Sequence, residues 1–144
     1  MQARNKNAMG EFGLSIPRTY DAPASKVFDA WINPTSVKTW LADGEDIVID
    51  PRVGGLFYLE MPWQQKIYPH YGRYITINSP RVLEFTWVSE GTHGKESVVK
   101  IELKDDGGKT HLTLTHDGLP DENEVKNHHG GWSQFLNSLT ARLR

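Results

Sequence analysis

The sequence contains no cysteine among its 144 residues, and this absence removes several kinds of site at once. Disulfide bonds, thiol nucleophiles and cysteine-ligated zinc sites are all excluded. A chain without cysteine suits a cytoplasmic location, which we take as the expectation. No apolar run approaches the roughly 20 residues that a helix needs to cross a bilayer, so membrane insertion is not expected.

An excess of charge of either sign is also lacking. Sixteen Lys and Arg residues stand against 18 Asp and Glu residues, which gives a formal net charge of -2 and a pI of about 6.3. A nucleic-acid partner needs a basic face, so none is expected. The motifs GxSxG, HExxH and GxGxxG and the phosphate-binding loop are absent. No cofactor is therefore predicted, and any chemistry must come from scattered polar side chains.

The length fits one domain, and no internal repeat or low-complexity segment interrupts it. The first ten residues carry two cations but no apolar segment of the kind found in secretory signals. We therefore predict a flexible tail over residues 1–12 and a single domain over residues 13–144. A homodimer is compatible with this organisation.

The first part of the domain predicts one strand and two short helices. Leu14–Tyr20 has strand character. Asp21-Ala22-Pro23 and Asn33-Pro34 each combine a capping side chain with a proline in the first turn, which is typical of a helix start. The apolar stripes of the two helices are Val27, Phe28 and Trp31 in the first, and Val37, Trp40 and Leu41 in the second.

The middle of the chain alternates with period two, which predicts strands joined by short turns. Val53-Gly54-Gly55 and Asp105-Asp106-Gly107-Gly108 are typical of tight turns, and Pro62–Tyr68 is interpreted as a loop. Short turns between successive strands indicate an antiparallel meander. The predicted strands are Asp46–Asp50, Leu56–Met61, Tyr71–Asn78, Val82–Ser89, Ser97–Leu103 and Thr110–His116.

A long amphipathic helix closes the chain. Asp121, with Glu124 three residues later, resembles a capping box. Gly130-Gly131 costs about 1 kcal/mol per glycine inside a helix, so we expect a kink, a close backbone approach, or a helix that begins after the pair. Its apolar stripe is Val125, His129, Trp132, Leu136, Leu139 and Leu143. These elements predict an α+β domain in which a curved antiparallel sheet of about seven strands grips this helix, with an apolar cavity between them.

Several segments, in this order, resemble the START-like (SRPBCC) superfamily, and within it the heat-shock-protein-90 ATPase activator-homologue-like family. The resemblance spans Leu14 to Leu143 and implies the helix-grip fold. It also implies binding of lipids, sterols, polyketides or other apolar molecules, and in some members cyclase or aromatase activity. The segments that carry it are Ala22–Trp31, Trp40, Asp50–Gly55, Gly72–Tyr74, Leu83–Trp87, Thr110–Pro120 and Gly130–Trp132.

The predicted inner faces supply the candidate site residues. Their aromatic side chains either line a cavity or fill the core completely, and only volume distinguishes the two. Arg73 and Glu84, on neighbouring strands, are interpreted as a surface pair rather than a cavity ion pair. The predicted ligand-binding residues are Trp31, Trp40, Phe57, Leu59, Tyr71, Arg73, Phe85, Trp87, His116, His129, Trp132 and Leu136.

His116 and His129 have two interpretations. They orient a ligand or act as acid and base, with Glu84 as a further candidate, or they are core-edge histidines with backbone partners. A metal site of His116, His128 and His129 is not expected, because adjacent residues of a helix do not converge.

Three functions follow from these interpretations. The leading hypothesis is a binding protein for a small hydrophobic molecule, and the second is a cyclase, aromatase or hydrolase. The third is a chaperone-associated interaction module, which requires an exposed apolar patch on the outer sheet face. The outer positions weigh against it because they are polar, namely Glu60, Thr76, Glu84, Lys100, Glu102 and Thr113.

Overall fold

A computed structural model describes residues 2–4, 12–41 and 46–143. Its sheet has eight antiparallel strands in the order β1-β2-β8-β7-β6-β5-β4-β3. The strands are β1 Gln2–Arg4, β2 Phe12–Tyr20, β3 Ile47–Ile49, β4 Leu56–Trp63, β5 Lys66–Asn78, β6 Val82–Trp87, β7 Ser97–Asp106 and β8 Lys109–Leu119. The helices are α1 Ala24–Ile32, α2 Pro34–Trp40, the short 3₁₀ helix η1 Glu90–Thr92 and α3 Glu122–Arg142.

The predicted helix-grip architecture is confirmed. One hydrophobic core lies between the inner face of the sheet and the helices, with α3 against β2 and β8 and the α1–α2 pair nearby. Strand β1 falls inside the predicted tail, where it pairs with β2 and makes the sheet one strand wider than expected. Residues 1 and 5–11 of that tail lie outside the described part of the chain.

The interpretation of Pro62–Tyr68 as a loop is wrong. Strand β4 continues to Trp63, and β5 begins at Lys66. Between them, Gln64 and Gln65 have φ values of 50° and 66°. Two consecutive positive φ angles are the geometry of a two-residue hairpin, which normally selects asparagine and glycine. Because glutamine is not typical of such turns, the sequence gives no sign of this hairpin.

Strand β5 presents Tyr71 and Arg73 outward, so neither lies on the inner face with the rest of the predicted ligand-binding set, although the surface position of Arg73 agrees with its interpretation as part of a surface pair. Tyr71 is 49% exposed. Arg73 contacts the Glu96 carboxylate at 3.4 Å rather than pairing with Glu84. Glycine is needed on the inner side at Gly72, because a Cβ there would lie 2.0 Å from the Thr86 carbonyl oxygen. Tyr74 is the inward-facing tyrosine of this strand.

The outer face is not polar throughout, as the sequence analysis assumed. On β3 to β5, Val48 is paired with Tyr58 and Tyr58 with Tyr71, which brings the three side chains into one row. The argument against an interaction surface therefore applies to the β6–β8 side of the sheet and not to this side. The exposed large apolar side chains are Val48, Val53, Leu56, Ile67, Tyr71 and Ile75.

Helix α3 begins as predicted, since the Asp121 carboxylate accepts a hydrogen bond of 2.8 Å from the Glu124 backbone N–H. It runs without a break through Gly130-Gly131, so the alternative start after the glycine pair is wrong. The expected close backbone approach is also wrong, because a Cβ at either glycine would meet nothing within 4 Å. The glycines are thus helix positions with unused space beside them.

Replacement of either glycine by alanine is expected to raise the free energy of unfolding by about 0.8–1 kcal/mol, because alanine has the higher helix propensity and nothing opposes the added methyl group. Urea unfolding of Gly130→Ala and Gly131→Ala measures the effect. Gly72→Ala is the contrasting variant, and it should destabilise the protein because its methyl group meets the β6 backbone. A loss of stability in both α3 variants would contradict the space assigned to them.

Candidate ligand cavity and the buried histidine network

An aromatic cluster joins α1, α2 and α3 to the sheet. Trp31 of α1 contacts Trp40 of α2 edge-on, with ring centroids 4.7 Å apart. Trp132 of α3 lies between Trp31 and Trp87 of β6, at centroid distances of 5.9 Å and 5.0 Å. Such tilted and edge-on pairs are the favoured arrangements of aromatic rings. The cluster fills much of the space that the sequence left open.

A small cavity remains beside this cluster, between β4–β6 and the α1–α2 pair rather than beneath α3. Its volume is about 20 Å³, which is space for about one water molecule. No charged side chain lines it, and every lining residue is apolar or aromatic. The lining residues are Trp31, Val37, Leu41, Phe57, Leu59, Tyr74, Phe85 and Trp87.

The lining agrees with part of the predicted ligand set. It contains Trp31, Phe57, Leu59, Phe85 and Trp87, but not the other predicted residues. Trp40 packs behind Trp31, while Trp132 and Leu136 are buried in the core on α3. Of the residues that the sequence analysis left out of that set, Val37, Leu41 and Tyr74 line the cavity.

The two cavity indoles have no hydrogen-bond acceptor among the described residues. Trp31 and Trp87 are 4% and 3% exposed, and neither indole N–H has a partner. Trp40 and Trp132 differ, since the Trp40 indole donates to the Ala30 carbonyl at 2.7 Å and the Trp132 indole donates to a histidine nitrogen at 3.0 Å. Both unpaired donors therefore belong to tryptophans whose side chains line the cavity.

His116 is fully buried on β8 and uses both ring nitrogens. An indole N–H can only donate, so the bond from Trp132 makes Nδ1 an acceptor. The Ser97 hydroxyl donates to the Trp87 carbonyl at 2.7 Å and therefore accepts from His116 Nε2–H, also at 2.7 Å. This chain of hydrogen bonds fixes His116 in the neutral form that carries its proton on Nε2.

Two further histidines lie near His116. The His128 ring lies 5.1 Å from it, and His70 packs 4.9 Å from Trp87. The Nδ1 atoms of His128 and His70 donate to the carbonyls of Glu124 and Tyr68, at 2.8 Å and 2.9 Å. A Cβ at Gly91 of η1 would lie 2.9 Å from His128 Cε1, so η1 packs directly on this ring.

Burial keeps these imidazoles neutral. Desolvation lowers the pKa of His70 to about 4. It also lowers the pKa of His128, and it lowers that of His116 well below the usual value, where the neighbouring His128 and His70 add to the shift. His116, whose two ring nitrogens are both hydrogen-bonded, is therefore held as a neutral group inside the core.

The predicted catalytic set does not assemble. The imidazole that meets His116 is that of His128, while His129 is half-buried one position further along α3. Glu84 lies on the other face of the sheet, where it accepts a hydrogen bond of 3.0 Å from Thr76. Within residues 2–4, 12–41 and 46–143, no group of three or more His, Asp or Glu side chains is arranged to hold a metal ion.

A second, more polar depression lies on the surface against α1, α2 and the end of α3. Its volume is about 310 Å³. Within it Asp29 accepts hydrogen bonds from Asn33 and Ser36, both at 3.3 Å, and Lys26 donates to the Leu143 carbonyl at 3.2 Å. Its polar groups are thus largely engaged with each other.

One family model matches most of the chain. A family model described as "Activator of Hsp90 ATPase homolog 1-like protein" matches residues 21–144. The chain belongs to this family. The match covers both helices of the α1–α2 pair, β3 to β8 and α3, and therefore every residue of the cavity lining. The expected family resemblance is confirmed.

Solved structures similar to this member of the Activator of Hsp90 ATPase homolog 1-like family share its fold. Protein CV1439 from Chromobacterium violaceum has a TM-score of 0.82 at 23% identity, with 91% of this chain and 96% of that chain covered. CalU16 from Micromonospora echinospora has a TM-score of 0.74 at 29% identity, covering 95% and 79%. PFC0360w, an HSP90 activator from Plasmodium falciparum, has a TM-score of 0.76 at 22% identity, covering 91% and 95%.

No curated protein matches the chain. Across the described part of this family member, no helix has both the length and the apolar character needed to cross a membrane.

Proposed function

We propose that this protein binds a small hydrophobic, ring-bearing molecule in the cavity between β4–β6 and the α1–α2 pair. The observation that carries the proposal is the composition of the cavity wall, which consists entirely of apolar and aromatic side chains. Ligand sites for apolar molecules have this character, with a few polar groups that set orientation. Membership of a family with the helix-grip fold supports the same function.

Binding requires the cavity to open, because its volume of about 20 Å³ is far below the roughly 300–1,000 Å³ of ordinary ligand sites. The α1–α2 side is the wall best suited to move. Helix α2 has seven residues, and its own buried side chains are those of Val37 and Trp40. A helix this short has little stability of its own and depends on its packing contacts. The outward displacement of α2 is therefore the movement that we associate with binding.

A titration with prodan, a neutral naphthalene fluorophore whose emission moves to the blue in apolar surroundings, tests this function. The native protein is expected to bind it saturably. Leu59→Ala, which enlarges the cavity, should bind about tenfold more tightly, because part of the space no longer has to be opened; this corresponds to about 1.4 kcal/mol.

The matched control is Leu112→Ala, which truncates an equally buried leucine of β8 outside the cavity lining. Both variants are first checked for native secondary structure by circular dichroism. The control should leave the affinity for prodan within about twofold of the native value. Absence of saturable binding to the native protein and to Leu59→Ala would remove the proposed function.

A further inference from the structure

From the two unpaired indole donors in the cavity wall, we infer that the ligand is a neutral, ring-bearing molecule with a hydrogen-bond acceptor such as a ketone, ester, quinone or ether oxygen. This inference rests on the proposed function and names the chemical class of its ligand. The observation behind it is independent of the apolar lining, because it concerns the only indole N–H groups of the described tryptophan side chains that lack an acceptor.

An unpaired buried donor is unusual, since nearly all buried polar groups in folded proteins have a hydrogen-bond partner. Trp31 and Trp87 are both more than nine-tenths buried and both line the same small cavity. Their neighbours Trp40 and Trp132, in the same aromatic cluster, are paired within the protein. Within this one cluster, the two indoles without an acceptor are therefore the two that line the cavity, and a ligand oxygen that reached them would supply the missing partner.

The surroundings of these donors restrict the acceptor to an uncharged one. No cationic side chain lines the cavity. His70, which packs on Trp87, is held neutral because desolvation lowers its pKa to about 4. A carboxylate or phosphate would lose its hydration without gaining a counter-charge, which is costly in an apolar interior. A carbonyl or ether oxygen requires only a hydrogen bond.

The wall also disfavours ligands rich in donors. Among the lining side chains, the Tyr74 hydroxyl oxygen is the one hydrogen-bond acceptor, so a molecule with several hydroxyl or amine groups would leave them unpaired. The aromatic side chains of Phe57, Phe85 and Trp87 offer faces and edges to a flat ring. Together these features select a flat apolar molecule with acceptors and few donors.

The test compares two molecules of nearly equal shape. Acetylnaphthalene carries a ketone oxygen, and isopropenylnaphthalene has a CH₂ group in its place. The native protein is expected to bind the ketone about tenfold more tightly, which is the range for a buried donor that gains its acceptor. Binding of both molecules is followed by ligand-observed NMR, and the indole N–H resonances report which tryptophan is engaged.

Replacement of the indole N–H by sulfur, through benzothienylalanine at position 31 or 87, removes the donor while preserving ring size. At the position that the oxygen contacts, the preference for the ketone should disappear and the affinity for isopropenylnaphthalene should stay unchanged. The same analogue at position 40 is the control, because the Trp40 N–H already has an acceptor and the preference should survive.

The outcomes separate this inference from the function on which it rests. Saturable binding of both molecules with equal affinity would overturn the inference and leave the binding function in place; this is also the result expected if a water molecule already satisfies the indoles. A ketone preference that survives the analogue at both positions would likewise overturn it. If neither molecule binds, the binding function fails and the inference fails with it.

Discussion

Trp132→Ala is expected to lower the free energy of unfolding by about 3–5 kcal/mol, because it removes a large buried aromatic side chain. Trp132 is 3% exposed and lies between the rings of Trp31 and Trp87. Its removal leaves a cavity at the centre of the aromatic cluster and deprives His116 Nδ1 of its donor. Since small domains are stable by about 5–15 kcal/mol, a loss of this size brings the protein close to unfolding.

Trp132→Phe separates the two contributions. It keeps an aromatic ring in the cluster but removes the indole N–H, so the expected loss is smaller than that of alanine and includes about 1–3 kcal/mol for the unpaired histidine nitrogen. Urea unfolding at neutral pH measures both variants. Equal stabilities for Trp132→Phe and the native protein would show that the hydrogen bond to His116 contributes nothing measurable.

The native protein is expected to lose stability as pH falls from about 6.5 towards 4. Burial lowers the pKa values of His70, His116 and His128 below the value in the unfolded chain. The unfolded state therefore binds more protons than the native state below pH 6.5, and acid favours unfolding. Each histidine can change the free energy of unfolding by at most about 1.4 kcal/mol per pH unit. The stabilisation is therefore complete above pH 6.5 and is lost as the pH falls from 6.5 towards 4.

Two variants of His116 test its share of this dependence. His116→Leu should cost about 1–3 kcal/mol at neutral pH, because the Trp132 N–H loses its acceptor; His116→Gln should cost less, because its amide offers both an acceptor and a donor. Neither side chain titrates, so the deficit of each variant relative to the native protein should shrink as pH falls below 6.5. A deficit that stays constant down to pH 4.5 would contradict the assignment of a neutral His116.

Much of the architecture was predictable from periodicity where the pattern was regular. In β7, Val99, Ile101 and Leu103 alternate with charged or half-buried neighbours, and all three face the core as expected. In β5 the same reasoning put Tyr71 on the inner face. The pairing of β5 with β6 shifts register between Tyr74 and Thr76, and the hairpin turn before β5 consists of two glutamines. For these reasons the sequence pattern revealed neither the turn nor the tyrosine that faces inward.

The site was predictable only in part, because it depends on contacts between distant elements. His116 was correctly placed in the core, but the histidine of α3 that meets it is His128 rather than His129. The periodicity puts His129 on the apolar stripe and His128 beside it, and the packing of η1 against His128 is a tertiary contact that helical periodicity does not contain. The volume of the cavity likewise depends on tertiary contacts, because it is the space that remains after the tryptophan side chains have packed against one another.

The hydrogen bonds that run from the Trp132 indole through His116 and Ser97 to the Trp87 carbonyl have a mechanical consequence. They tie α3 to three successive strands, β8, β7 and β6. Sliding α3 along its axis by a single residue, about 1.5 Å, would stretch the bond of 3.0 Å from Trp132 beyond hydrogen-bonding range. This bond opposes sliding of the long helix, and the rate at which a guest molecule enters or leaves should therefore depend on substitutions in α2 and not on substitutions at the exposed positions of α3.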